Sequence, residues 1–134
     1  MTAVVTQQIT TAVSALTSTP VTGLGTPQAC TLQAVFTYVA SAGTSVDVYV
    51  QTSLDGGTTW YDIANFHFTT ASAASYLNCN ADTAVNSGVT LTTGTLANNT
   101  SINGILGDRL RTYINSVGTY GAGTQVTVTA FSRG

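Results

Sequence analysis

The residues able to do acid–base, nucleophilic or metal chemistry are few: His67, Cys30, Cys79, five aspartates (Asp47, Asp55, Asp62, Asp82, Asp108) and the cations Arg109, Arg111 and Arg133. His67 sits between Phe66 and Phe68 with no base or nucleophile near it in sequence, so a packed or edge-exposed imidazole is expected rather than a general base. A Ser-His-Asp set can be picked from any Ser-rich chain, and no nucleophile elbow is present. Nothing in the spacing of Cys30, Cys79 and His67 builds a metal knuckle, and Asp55 and Asp82 lie outside any loop dense in oxygen ligands for calcium. Gly121-Ala122-Gly123 precedes a strand, whereas a phosphate cradle of that kind opens a helix. The expectation is therefore no catalytic residue, no metal, no cofactor and no enzymatic activity. The two cysteines are expected as free, packed thiols.

These residues are set in 134 positions of which only 6% are charged, against 43% hydrophobic, with a net charge of −2 and neither Lys nor Glu. An ordinary domain carries about 25% charged residues. Without a basic stripe, nucleic acid and anionic membrane surfaces lose their electrostatic attraction for the chain, and neither is expected as a partner. The first residues lack the basic and apolar blocks of a secretory signal, which predicts synthesis in the cytoplasm. About one residue in five is Thr, and Ser, Asn, Gly, Ala and Val supply most of the rest. That is strand-and-turn chemistry, and covering such a surface costs less entropy and desolvation than covering Lys and Glu.

The elements follow from the two-residue period. Residues 1–27 mix Thr with Ile9, Val13 and Leu16 and end in Pro20, Gly23, Gly25 and Pro27, a pattern read as an extended arm or an edge strand followed by a turn-rich linker, set apart as an N-terminal arm and linker before a domain at 28–134. Leu32, Ala34, Phe36, Tyr38 and Ala40 fall on one strand face, with Val35 and Val39 on a second face expected to be only partly wet. Val46, Val48 and Val50 point inward, and Asp47, Tyr49 and Gln51 outward. Trp60, Phe66 and Phe68 share a face opposite Tyr61 and Ile63. Weaker strands are expected at Tyr76–Cys79, Val89–Leu91 and Ile102–Leu106. Leu110, Thr112 and Ile114 face in, and a last strand over Gln125–Phe131 is expected to pair with them as a hairpin. Val48, Val50, Trp60, Phe66, Leu110 and Val128 form the expected core. Short strands at this spacing predict an all-β fold, an antiparallel β-sandwich of jelly-roll-like kind with an N-terminal arm.

The strongest local signal is the hairpin Ser53-Leu54-Asp55-Gly56-Gly57-Thr58-Thr59-Trp60, whose paired glycines supply positive φ. It resembles the Asp-box turn of sialidases and other β-propellers. That resemblance implies a structural role, with Ser53 and Asp55 capping turn amides and Trp60 packing beneath. The stretch from Val48 to Ala64, the later Gly107-Asp108-Arg109-Leu110-Arg111 and the terminal Val-Thr-Val-Thr strand look like small β-sandwich virion proteins of tailed bacteriophages. This implies a non-enzymatic capsid decoration (cement) subunit that stabilises the head shell, with a head-to-tail connector or tail protein as the alternative. The implied partners are further copies of the chain, as a homotrimer, and the major capsid protein, with the arm residues Ile9, Val13 and Leu16 as contacts. A carbohydrate-binding module or adhesin is the rival from another class, using Tyr49, Tyr61, Tyr113 and Tyr120 as stacking platforms.

Overall fold

A computed structural model describes residues 2–40 and 42–134, which form eight strands and no helix. In chain order these are β1 (Thr2–Gln8), β2 (Leu16–Thr17), β3 (Ala29–Thr37), β4 (Ser45–Thr52), β5 (Tyr61–Phe68), β6 (Ala73–Asn80), β7 (Leu110–Val117) and β8 (Gln125–Arg133). Two four-stranded antiparallel sheets result, ordered β1-β8-β3-β6 and β2-β7-β4-β5. The expected all-β sandwich is the architecture observed. Its pairings are nested: β4 with β5, β3 with β6, β2 with β7 and β1 with β8.

Alternation fills the space between the sheets. Leu32, Ala34 and Phe36 of β3 and Val126, Val128 and Ala130 of β8 meet Val46, Val48 and Val50 of β4 and Leu110 and Ile114 of β7, all buried. At one end Phe36 stacks on Phe68 at 4.9 Å and meets Tyr120 edge-on. The Tyr120 hydroxyl donates to the Thr69 carbonyl at 2.7 Å, so the ring is buried without stranding its polar tip. On the opposite side of β3, Val35 is 38% exposed, so that face is wetter than the valine pattern predicted.

Four expectations are corrected by this topology. The last two strands make no hairpin: β7 and β8 belong to different sheets, and the 118–124 connection arches between them. Val89–Leu91 and Ile102–Leu106 are not strands, because residues 81–109 form one long irregular connection. Trp60 is buried, as expected, but packs outside the central apolar cluster. An irregularity in the β4/β5 ladder matches Val50 with Ala64 but Gln51 with Asp62, leaving Ile63 as an extra residue. Such a bulge reverses the alternation, so Ile63 and Ala64 both turn inward while Asp62 and Trp60 move to the outer side.

The fourth correction concerns residues 1–27. Met1 lies outside the described residues, and the remainder is built into the sandwich. β1 runs along β8 from Thr2↔Ala130 to Gln8↔Gln125. The chain then crosses to the other sheet and follows β7, through Val13 N–H to Ser116 Oγ (3.0 Å), Ala15 N–H to Asn115 Oδ1 (2.7 Å) and Ser18 N–H to the Thr112 carbonyl (3.0 Å). Ile9 is completely buried, and Val13 and Leu16 pack half-buried against the core. Six residues of β1 gain ladder partners on β8 this way, which an arm in water would forgo. Ile9→Ala is expected to lower the stability of the isolated chain by about 2–5 kcal/mol in denaturant titration; a free arm would lose nothing.

Candidate functional site

Three regions hold the polar and exposed aromatic groups that could act on something else. The first is the β4/β5 hairpin tip. Gly56 and Gly57 take φ of +76° and +97°, the left-handed region that the sequence required of them. Asp55 gathers the turn: its Oδ1 accepts the amides of Thr58 (3.1 Å) and Thr59 (2.9 Å), and its Oδ2 the Thr59 hydroxyl (2.7 Å). The Ser53 hydroxyl donates to Asp55 at 2.9 Å and accepts the Gly57 amide at 2.8 Å. Trp60 closes the turn from below, its indole N–H on the Gly57 carbonyl at 3.0 Å. Thr59's hydroxyl and amide, with Ser53 and the Thr58 amide, hold the Asp55 carboxyl down at about 2. All six hairpin residues singled out from the sequence thus lie within one turn, and the Asp55 carboxylate bonds to Ser53, Thr58 and Thr59 of that same turn.

The second region is the outer side of the β2-β7-β4-β5 sheet, which is covered by the chain itself. Asp62, fully buried, accepts hydrogen bonds from Gln51 Nε2 and Thr92 Oγ1 (both 2.9 Å) and from the amides of Gly94 (2.9 Å), Thr95 (3.1 Å) and Leu96 (3.3 Å). Gln51 in turn accepts from Arg111 Nε at 2.8 Å, and the Arg111 guanidinium lies 4.6 Å above the Trp60 ring. A cation and an anion are therefore joined through a buried amide, which passes polarisation between them while satisfying both. Asn65 repeats the device one step along, accepting the Asn99 amide at 3.1 Å. Backbone bonds from Asp62 N–H to Thr92, Asn65 N–H to Thr100 and Ile102 N–H to Ile63 seal the β5 edge beneath the connection. The sequence reading missed this network. Its one signal was Asp62 itself, which shares the parity of Phe66 and Phe68 and would face the apolar core without a bulge.

His67 and Asp47 meet beside it, Nδ1 to Oδ1 at 2.8 Å, both about three-quarters covered. No hydroxyl or thiol among the described residues shares a hydrogen bond with the imidazole, so the pair has a base and an orienting carboxylate but no nucleophile. Cys30 and Cys79 are direct cross-strand partners on β3 and β6, free and buried. Burial pushes the Cys79 thiol up to about 12 and raises that of Cys30, so neither offers a thiolate. Among the described residues no three His, Cys, Asp or Glu side chains converge on a point that could hold a metal. The four tyrosines expected as platforms are not assembled into one. Tyr49 and Tyr120 are buried, Tyr49 meets Tyr113 edge-on at 5.9 Å under the connection, and only Tyr61 and Tyr113 retain partial exposure.

The third region is the outer face of β1-β8-β3-β6, which no connection among the described residues covers. Its edges differ from those of the other sheet. There β2 is two residues long and β5 is capped; here β1 and β6 are seven and eight residues long, and neither contains a Pro or a charge. Charge and proline, two devices that ordinarily discourage strand addition, are therefore missing from both edges, although β1 has a register shift at Ala3/Val5 and the 101–104 segment bonds to Asn78 and Asn80 of β6. No family model, no curated protein and no solved structure matches the chain.

Two outcomes test the first two regions. Asp62→Asn replaces one acceptor oxygen by an amide donor, setting it against Gly94 N–H and Gln51 Nε2 or against Thr92 Oγ1 and the Thr95 and Leu96 amides. It is expected to cost about 3 kcal/mol and to accelerate hydrogen exchange at Gly94, Thr95 and Leu96 selectively. Because the folded Asp55 carboxyl lies below its ordinary value of 3.8, its support for the hairpin is complete above that value and lost as pH falls through about 2. The Thr58 and Thr59 amide resonances should hold position at pH 4 and collapse toward random-coil shifts only near pH 2.

Proposed function

We propose that the chain is a non-enzymatic structural protein of a tailed-phage virion, a decoration subunit that assembles as a homotrimer on the head shell beside the major capsid protein. The observation that carries this reading is where the ions are. Asp62 and Arg111 serve the buried network, Asp47 holds His67, Asp55 ties its own turn, and Asp108 pairs with Arg109 at 2.9 Å. Little formal charge is left to keep copies apart, and the remaining shell of Thr, Ser, Asn and Gln desolvates cheaply. Nested pairing of eight strands in two sheets supports a jelly-roll description, an architecture used by viral capsid domains, and the filled interior supports a building-block role over a binding cavity.

With Ile9 buried, the contact shifts from a mobile arm to the edge strand β1, which can accept a neighbouring strand through main-chain bonds. Gradient-purified particles from the source of this chain are expected to contain it in stoichiometric amounts at icosahedral positions by cryo-electron microscopy. Thr6→Lys, placed on the exposed side of β1, is expected to cut its occupancy at least about tenfold, the equivalent of 1.4 kcal/mol. Particles lacking the chain, or a monomer that stays in the soluble fraction, would refute the assignment; a ring at the neck or tail would move it to the connector alternative.

A further inference from the structure

The uncovered sheet face carries a feature that assembly does not use. Tyr76 of β6 and Phe131 of β8 are 69% and 54% exposed, unusual for rings in a chain that buries Phe36, Phe66 and Phe68 completely or nearly so. They flank β3: Tyr76 is the cross-strand partner of Gln33, and Phe131 the partner of Thr31. The rings therefore stand two strands apart and two residues out of step, roughly 12 Å on the diagonal. Together with Thr31, Gln33 and Thr129 they line a shallow groove of about 450 Å³.

The polar groups between the rings are uncharged and hydrogen-bonded to one another, with one cation, Arg133, at their margin. Thr31 Oγ1 donates to Asn78 Oδ1 at 2.7 Å, which turns the Asn78 amide NH₂ away from it, and Arg133 Nη1 donates back to Thr31 at 3.2 Å. Thr129 Oγ1 lies 3.5 Å from Gln33 Oε1, so the Gln33 NH₂ projects over β3. No carboxylate side chain is among the described residues that line the groove.

The geometry points to a binding site for a neutral oligosaccharide, with pyranose rings stacked on Tyr76 and Phe131 and their hydroxyls bonded by Gln33, Asn78 and Thr129. Sugar rings present apolar C–H faces to aromatic rings and hydroxyl edges to amides, the two chemistries alternated here. A short oligosaccharide spans the separation of the rings. The site lies on β6, β3 and β8, clear of the β1 edge, and stands whether or not the chain belongs to a virion.

The test is NMR titration of the full chain with cellohexaose, maltohexaose, chitohexaose and a mannohexaose. At least one is expected to shift the Tyr76 and Phe131 ring signals saturably, with roughly millimolar or tighter affinity. Tyr76→Ala and Phe131→Ala should each weaken binding at least about tenfold, while Tyr76→Phe retains it and Tyr61→Ala leaves it unchanged. Unaltered melting temperatures would confirm that the fold survives. No shift with any of the four, equal binding by the alanine variants, or a concentration-dependent shift without sugar, marking self-association on this face, would each overturn the proposal. Particle occupancy of Tyr76→Ala reads the assembly role separately.

Discussion

One buried carboxylate organises half of this molecule. A charge removed from water is tolerable only when its lone pairs are met, and Asp62 meets them with Gln51, Thr92 and three successive amides of the 94–96 segment. That requirement fixes the path of the 81–109 connection. A connection of such length without strands or helices is uncommon in a compact domain, and here it is held as firmly as a strand. Gly94 lies so close against the Tyr113 ring that a side chain at that position would collide with it. The result is a third layer over β4 and β5, which is why Tyr49 and Gln51, outward by alternation, are nevertheless buried.

The β-bulge is what makes this arrangement compatible with the core. Without it, Asp62 would share a face with Phe66 and Phe68 and no pairing register could satisfy both. With it, the apolar half of β5 faces the opposite sheet and the polar half faces the connection. The hairpin tip, the bulge and the Asp62 cluster thus form one continuous device along β4 and β5. Arg111, stacked on Trp60 at the base of the hairpin and bonded to Gln51, ties its two ends together.

The identity of β3, β4, β5, β7 and β8 was legible from the residues because strong alternation is a local property. The alternating valines of β4 and β8, the glycine pair at 56–57 and the inward set Leu110, Thr112 and Ile114 all lie where their spacing put them. Partnership was not legible, because spacing says which side chains face inward but not which sheet a strand joins. The same pattern in β7 and β8 suits a hairpin and an arch equally well. The N-terminal segment misled for a related reason: its Thr-rich composition has low contrast between faces, and only the neighbouring β8 ladder selects Val4 and Ile9 for burial. The network around Asp62 was hidden because its donors are backbone amides and sit thirty residues downstream of the acceptor.

Nesting of the strand pairs also fixes an order of events during synthesis. The innermost pair, β4 with β5, can close as soon as its hairpin leaves the ribosome, but β1 has no ladder until residues 125–133 have emerged. Closing such distant contacts is slow, and the early strands wait unpaired meanwhile. A chain with so little repulsive charge is most prone to premature association during that delay, so its productive folding depends on the late arrival of β8 outpacing encounters between half-made copies.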